Sequence, residues 1–267
     1  MNVVKASGRK ERFSVKKIET SLRRAGADAA LALEIAHRLR DELPDGVTTA
    51  KIYSRLMELL SEYPGVAQRY DLKRAIMRLG PSGYPFETYI ARVLQEYGYS
   101  TRLRVKLRGD CATHEVDVVA EKGRTRAMVE VKFHNSPGTY IDLKEALYTY
   151  ARFLDTRRRS RFTEAWLTCN TRTSAEARKY AECAGVRLLC WKYPPGRGLE
   201  KLIDRRKLYP ITALRDVDSA VVGAFSRAGY MLIKDLLEVP TGRLAERTGL
   251  PREKLEVLVE YAKTAVA

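Results

Sequence analysis

The run His114-Glu115-Val116-Asp117-Val118-Val119-Ala120-Glu121-Lys122-Gly123-Arg124-Thr125-Arg126-Ala127-Met128-Val129-Glu130-Val131-Lys132 carries two strand-like stretches around a single Gly-Arg turn. Folded as an antiparallel hairpin about Gly123-Arg124, it pairs Asp117 with Glu130 and Glu115 with Lys132. Residues two apart on a strand share a face. Glu115, Asp117, Glu130 and Lys132 therefore crowd one face, and Val116, Val118, Val129 and Val131 form the other, the core face. Directly opposed residues lie about 4.5–5.5 Å apart. Three carboxylates at that spacing repel one another, and a divalent cation removes the conflict. Hard oxygen ligands suit Mg²⁺ or Mn²⁺. Lys132 then has two available tasks, stabilising a pentacovalent phosphate or orienting the attacking water. The alternative is an exposed strand face with a Glu–Lys cross-strand pair.

Outward from the hairpin, residues 84–192 alternate between helical and strand periods. Phe86, Ile90, Val93 and Leu94 form a helical stripe ending at Gly98, and Leu103, Val105 and Leu107 alternate with basic residues as in a strand. Leu143, Leu147 and Phe153-Leu154 mark a helix. Ala165 to Cys169 is a strand, Ser174 to Ala184 a helix, and Val186 to Trp191 a strand. The order α-β-β-β-α-β-α-β predicts a mixed sheet with helices on both faces. Residues 1–80 read as a short strand pair followed by helices, with Ser14 and Thr48 or Thr49 as caps. Residues 199–267 show only helical spacing. Gly80-Pro81-Ser82-Gly83 and Pro194-Pro195-Gly196-Arg197-Gly198 punctuate the chain. The expected architecture is α/β and multidomain, cut at 1–80, 81–198 and 199–267. It has a mostly helical N-terminal module, a central mixed sheet flanked by helices, and a small C-terminal helical bundle.

The central stretch, with Phe86-Glu87, Val116-Asp117-Val118-Val119, Glu130-Val131-Lys132 and this element order, resembles the PD-(D/E)xK nuclease superfamily, in particular the Mrr-like restriction endonucleases and the archaeal Holliday junction resolvases. The resemblance covers residues 84–192 and implies a restriction-endonuclease-like fold with Asp117 and Glu130 as metal ligands and Lys132 acting on the phosphate. It also implies an assisting acid from the first helix, where Glu87 stands. Val116 replaces the usual Pro before the Asp. The following helix lacks the Gln of Mrr-like members, so that only Lys144 serves there. Glu115 is either a further metal ligand or a partner of Lys132. His114 and His134 flank the site and read as hydrogen-bonding residues. The loop Phe133-His134-Asn135-Ser136-Pro137-Gly138 is placed to contact the scissile phosphate. Arg157, Arg158, Arg159 and Arg161 are either contacts to a nucleic-acid backbone or complements to a helix dipole.

The first eighteen residues, among them Val3-Val4-Lys5, Gly8, Glu11-Arg12-Phe13-Ser14 and Lys17-Ile18, resemble the ATP-cone, a regulatory module that binds ATP or dATP as an allosteric ligand. The resemblance covers about residues 1–80. It implies phosphate-binding roles for Lys5 and Lys17 and nucleotide contacts for Glu11, Phe13, Ser14, Ile18 and Thr49. Ala6 replaces the family's Arg, which removes one bidentate phosphate donor. Residues 218–267 loosely resemble helix-hairpin-helix domains through Gly229 and Gly249-Leu250-Pro251. Pro251 lacks the N–H such a hairpin presents, so a protein-contact bundle is equally open.

Composition agrees with a nucleic-acid partner. The 267 residues carry a net charge of +16 at a pI near 9.7. Residues 1–80 hold +6, residues 81–198 hold +8 and residues 199–267 only +2. With 45% hydrophobic residues the chain is not a disordered polymer. It has no apolar run of about 18 or more residues, so no membrane span is expected. Cys111, Cys169, Cys183 and Cys190 form no C-x-x-C pair, and the N-terminus has no signal-peptide apolar region. Both features point to reduced thiols in the cytoplasm.

The sequence thus predicts a Mg²⁺- or Mn²⁺-dependent endonuclease acting on duplex or branched DNA, gated by ATP or dATP in the cone and acting as a homodimer. The alternatives are a nucleotide-responsive DNA-binding regulator with a silent nuclease fold, and RNA processing on the same fold.

Overall fold

The computed structural model describes residues 1–5, 8–136 and 138–266, so Ala6, Ser7 and Pro137 lie outside the described residues. The chain forms two compact units, Met1–Lys73 with Lys263–Ala267, and Arg74–Ala262.

The first unit begins with β1 (Asn2–Val4) and β2 (Lys10–Arg12), then α1 (Val15–Arg24), α2 (Ala29–Glu42), β3 (Val47–Thr48), α3 (Thr49–Leu59) and most of α4 (Pro64–Met77). β1 pairs antiparallel with β2 and parallel with β3. The first three helices each start on a side-chain acceptor, Ser14 and Thr48 as expected and Asp28 in addition. Ser14 Oγ takes the Lys17 N–H at 3.2 Å, Asp28 that of Leu31 at 2.8 Å, and Thr48 that of Lys51 at 3.2 Å. Leu22, Ile35, Leu39, Leu56 and Leu60 make the helical core, and Val3, Val47 and Ile52 a smaller one under the strands. Phe13 and Ile18 pack against both. The two-residue β3 has no alternation of its own to reveal it in the sequence.

The second unit continues with α5 (Tyr84–Glu96), β4 (Ser100–Arg108), β5 (Thr113–Lys122), β6 (Thr125–Lys132), β7 (Tyr140–Ile141), α6 (Leu143–Ser160), β8 (Glu164–Cys169), β9 (Arg172–Thr173), α7 (Ala175–Ala184) and β10 (Val186–Leu189). After these come α8 (Leu199–Arg205), α9 (Ser219–Ala228), α10 (Ile233–Glu238), α11 (Thr241–Thr248) and α12 (Arg252–Val266). The five-stranded sheet runs β10-β8-β6-β5-β4. The β10–β8 and β8–β6 pairs are parallel, while β6–β5 and β5–β4 are antiparallel. This is the mixed sheet the element order required.

α6 forms where Leu143, Leu147 and Phe153-Leu154 marked a helix, but its leucines do not face the sheet. Leu143, Leu147 and Leu154 are exposed, and the face against the sheet carries Ala146, Thr149 and Thr156, with Phe153 and Tyr150 partly buried. Small residues let the helix approach closely. The two buried hydroxyls are satisfied on helix carbonyls, Thr149 on Glu145 and Thr156 on Arg152, both at 2.8 Å.

The second unit holds the last helices together with the sheet. α5 explains why the last helices stay with the sheet. Phe86, Tyr89, Ile90, Val93 and Leu94 are buried together with Thr88 and Ala91, so the helix is covered all round. The sheet covers one side and the C-terminal helices the other. Tyr89 donates to the Leu208 carbonyl at 2.7 Å, the Thr88 and Ser226 hydroxyls meet at 3.1 Å, and Lys234 reaches Glu96 at 2.6 Å. The turn before α8 is tight rather than a linker. A Cβ at Gly198 would fall 2.6 Å from the Tyr193 nitrogen, and Leu199 N–H bonds back to Cys190 O at 3.0 Å. Asp235 joins these parts. It is nearly fully buried, accepts the N–H groups of Met231 and Leu232 at 2.9 Å, and meets Arg92 at 2.5 Å. Asp235→Ala is expected to destabilise the second unit by about 3 kcal/mol in urea denaturation, because it leaves two buried N–H groups without their acceptor and takes from Arg92 its closest carboxylate.

Among the described residues, no helix is long and apolar enough to cross a membrane, and the four cysteines form no disulfide.

Candidate active site

The β5–β6 hairpin has the register read from the sequence, from Lys122–Thr125 to Val118–Val129. There the ladder stops. Asp117 and Glu130 are not a backbone pair. Instead Asp117 Oδ2 accepts the Val131 N–H at 2.7 Å, so its side chain fills the gap between the strands. The other neighbour also breaks at this point. β4 pairs with β5 at Leu103–Val118 and Val105–Val116 but skips Arg104, whose φ is +49°. A left-handed arginine inside a strand carries a conformational cost of about 1–3 kcal/mol. It aims the Arg104 guanidinium at Glu87 Oε2, 3.1 Å away, and over the Tyr84 ring at 5.6 Å.

Glu130 is buried to 3% exposure, and both its oxygens are engaged. Lys132 Nζ lies 2.7 Å from Oε1 and Arg152 Nη1 2.5 Å from Oε2. Arg152 also donates to the Glu115 carbonyl at 2.9 Å and to the Tyr148 hydroxyl at 2.5 Å, and it stacks 4.7 Å over the Tyr148 ring. Lys132 lies 5.8 Å over the same ring. Tyr148 and Arg152 come from α6 and were not anticipated. Their signal was the i, i+4, i+8 spacing of Lys144, Tyr148 and Arg152 on one helix face. The expected Glu115–Lys132 pair does not form, because the ladder ends before reaching it. Glu115 is exposed and pairs in register with Lys106 of β4.

Charge crowding is visible in the titration of the site. Burial, reinforced by Glu130 and Glu87, pushes the Asp117 carboxyl up to about 7, against the Val131 N–H and Lys132. Burial also raises Glu87, with Glu115 and Glu130 adding to it and Arg104 opposing. For Lys132, burial acts downward, but the attraction of Glu130 and Asp117 outweighs it and the ammonium is held above its usual value.

Among the described residues, no three His, Cys, Asp or Glu side chains stand close enough together to hold a metal ion. The donor chemistry nevertheless fits a hard divalent cation. Asp117, Glu130 and Glu87 supply only carboxylate oxygens, and burial, with Glu130 alongside, drives Asp117 toward its neutral form. Glu130 carries one cation on each oxygen, and each oxygen keeps a further lone pair with which it could coordinate the ion.

The end of β6 is anchored beside this cluster. The Phe133 ring lies 5.5 Å from that of Phe86, and a Cβ at Gly80 would fall 2.4 Å from Phe133, so only glycine fits there. His134 N–H bonds to the buried Asn170 at 2.9 Å, and its ring meets the Thr171 hydroxyl at 2.5 Å. His114 meets Asp155 at 2.7 Å, and the same carboxylate accepts the Cys111 and Ala112 N–H groups. Both histidines are therefore hydrogen-bonding residues of the surrounding frame.

Arg157, Arg158 and Arg159 are exposed in the last turn of α6, and Arg161 caps it in a left-handed conformation. Arg158 and Arg159 share Asp110, at 3.1 and 2.8 Å. Lys144 is exposed in the first turn of the same helix. In the other unit, Lys5 and Lys17 converge on one oxygen of Glu11, at 2.7 and 3.4 Å, with Arg9 on the other at 3.6 Å. Lys5, hydrogen-bonded to it, holds the Glu11 carboxyl below its usual range despite some desolvation, and Lys17 adds to this. Phe13 and Ile18 are packed in the core clusters, Ser14 caps α1, and Thr49 opens α3, which Thr48 caps.

An ATP-cone family model matches residues 1–77, and a restriction endonuclease family model, the Mrr catalytic domain, matches residues 80–192. An uncharacterised protein of Archaeoglobus fulgidus is 43% identical over 177 residues, 66% of this chain and 99% of that protein. A crystal structure titled as a protein of unknown function, AF1548, has a TM-score of 0.64 and 42% identity, covering 69% of this chain and 98% of the other. The MspJI restriction endonuclease in complex with a 27-mer oligonucleotide has a TM-score of 0.34 and 13% identity, over 78% of this chain and 40% of that one, too distant to bear on the site. The two family models divide the chain between them: residues 1–77 belong to the ATP-cone family and residues 80–192 to the restriction endonuclease family, so an ATP-cone precedes a restriction-endonuclease-like domain.

Proposed function

We propose that the second unit is a divalent-metal-dependent endonuclease that hydrolyses phosphodiester bonds in DNA. The observation that carries this reading is the convergence of Asp117, Glu130, Lys132 and Glu87 at the point where both strand ladders break. Asp117 and Glu130 hold a Mg²⁺ or Mn²⁺ ion, with Glu87 assisting and Glu115 at the margin. When bound, the ion supplies Lewis-acid polarisation of the phosphate and a more acidic water. Lys132, protonated and partly exposed, donates to the phosphate oxygen on which negative charge develops. Lys144, Arg157, Arg158, Arg159 and Arg161 contact the DNA backbone from α6. ATP or dATP in the cone competes with Glu11 for Lys5 and Lys17 and gates cleavage. The exposed Leu143, Leu147 and Leu154 on α6 favour a homodimer. The protein acts in the cytoplasm.

Metal binding requires Asp117 to lose its proton. A carboxyl titrating near 7 is about one-tenth ionised at pH 6 and mostly ionised at pH 8. Mg²⁺ or Mn²⁺ affinity measured by calorimetry is therefore expected to be about ten-fold weaker at pH 6 than at pH 8. An affinity constant across that range contradicts the assignment of Asp117 as a ligand.

One observation favours a second reading, a nucleotide-responsive DNA-binding regulator: both Glu130 oxygens are held by cations. Cleavage assays on linear, branched and single-stranded DNA and on RNA, with Mg²⁺ or Mn²⁺ and with and without ATP and dATP, separate the two readings. Hydrolysis that needs the metal supports the nuclease. Tight metal-independent binding without hydrolysis supports the regulator.

A further inference from the structure

On the sheet face opposite Glu130 and Lys132 lies a cavity of about 480 Å³, within the usual size range of a small-ligand site. Strand alternation puts it there. Trp166 pairs in register with Val129, and Val129 points away from the Glu130 side. The walls are aromatic, Tyr97, Tyr99 and Trp166, backed by Leu94, and Arg187 and Arg197 are exposed at the rim.

The rings are fixed in place. Tyr97 donates to the Leu202 carbonyl at 2.9 Å, the Trp166 indole donates to Glu164 at 2.6 Å, and the Tyr99 and Trp166 rings meet edge-on at 5.6 Å. Each ring also carries a cation. Arg206 lies 4.7 Å from the centre of Tyr97, Lys122 lies 5.3 Å from Tyr99, and Arg187 lies 4.9 Å from Trp166. Arg187 also reaches Glu164 at 3.4 Å. The basic border continues through Arg205, which donates to the Gly196 carbonyl at 3.2 Å, and the exposed Arg206-Lys207.

An apolar aromatic cavity with cations around its mouth suits a flat aromatic group attached to anions. A purine or pyrimidine with its phosphates has that chemistry. Stacking on aromatic side chains contributes about 1–3 kcal/mol per base, and arginines along the border follow the backbone. We propose that this cavity holds one unpaired nucleobase of a nucleic-acid strand, stacked among Tyr97, Tyr99 and Trp166, with the flanking phosphates on Arg187 and Arg197. The border extends beyond one phosphate group through Arg205, Arg206 and Lys207, which favours a nucleotide within a strand over a free one.

The test is a binding measurement on the full chain in EDTA, so it stands whether or not the catalytic reading holds. Fluorescence anisotropy compares a perfect DNA duplex with the same duplex carrying one bulged nucleotide. The bulged duplex is expected to bind about ten-fold more tightly, as one stacked base requires. Tyr99→Ala and Arg197→Ala are each expected to remove that preference and leave perfect-duplex binding unchanged. Tyr99→Phe, which keeps the ring, retains it and so separates stacking from folding. The proposal is overturned if there is no preference, if Tyr99→Ala and Arg197→Ala leave it intact, or if an abasic bulge binds as tightly as one with a base. It is equally overturned if a free nucleoside monophosphate binds as tightly as the strand.

Discussion

Asp117→Asn is expected to cut cleavage severely and to make the metal-free protein more stable above pH 7. Asparagine keeps the size of the side chain, and its carbonyl oxygen still accepts the Val131 N–H, so the hairpin edge survives. The charge that holds the cation is lost, and the cleavage rate is expected to fall by about 10³-fold or more. The stability change has the opposite sign. The Asp117 carboxyl titrates at about 7 in the folded chain against 3.8 in its ordinary state, because burial and Glu130 disfavour its charge. A folded value above the unfolded one means the favourable contribution is complete below about 4 and is lost as pH rises through about 7. At pH 8 without metal the wild type bears the full penalty and the variant none. Urea denaturation in EDTA is expected to place Asp117→Asn on the order of 2 kcal/mol above wild type at pH 8, with no gain at pH 4. A variant that cleaves at the wild-type rate, or is less stable at pH 8, contradicts the site.

Lys132→Ala is expected to lower the single-turnover rate by about 10²–10³-fold while leaving metal affinity within about three-fold. Lys132 is a cation, not a base. Although burial acts against its charge, Glu130 and Asp117 hold its ammonium above the usual value, so it donates rather than accepts a proton. Its loss leaves Glu130 still bound by Arg152 at 2.5 Å, which keeps the buried carboxylate compensated. The defect therefore belongs to the developing charge on the phosphate, and saturating metal does not rescue it. Lys132→Arg keeps the charge but replaces a point donor with a planar fork and is expected to recover only part of the rate. A loss that saturating Mg²⁺ restores would instead make Lys132 a support for the metal site.

The hairpin register was legible because Gly123 and the alternation of valines on either side leave one pairing that buries a single apolar face. The place where that pairing ends was not legible. It depends on the left-handed backbone of Arg104 on a different strand and on the Asp117 side chain reaching Val131. Arg152 and Tyr148 were hidden for another reason. The leucines of α6 invited a reading of Leu143, Leu147 and Leu154 as its buried side, whereas the helix packs through Ala146, Thr149 and Thr156. Composition alone cannot separate a close-packing face of small residues from a solvent face. The attachment of the last helices to the sheet had a signal in α5, which is apolar on more than one side, as a helix covered all round must be. Of the ATP-cone positions, Lys5 and Lys17, to which the resemblance gives phosphate-binding roles, both lie against Glu11. The departure at Ala6 lies outside the described residues.

The most direct test of the central claim is a crystal structure of the full chain soaked with Mn²⁺, read from its anomalous signal. The account predicts a Mn²⁺ peak held by the carboxylates of Asp117 and Glu130. A chain that cleaves DNA with Mn²⁺ bound elsewhere would contradict it.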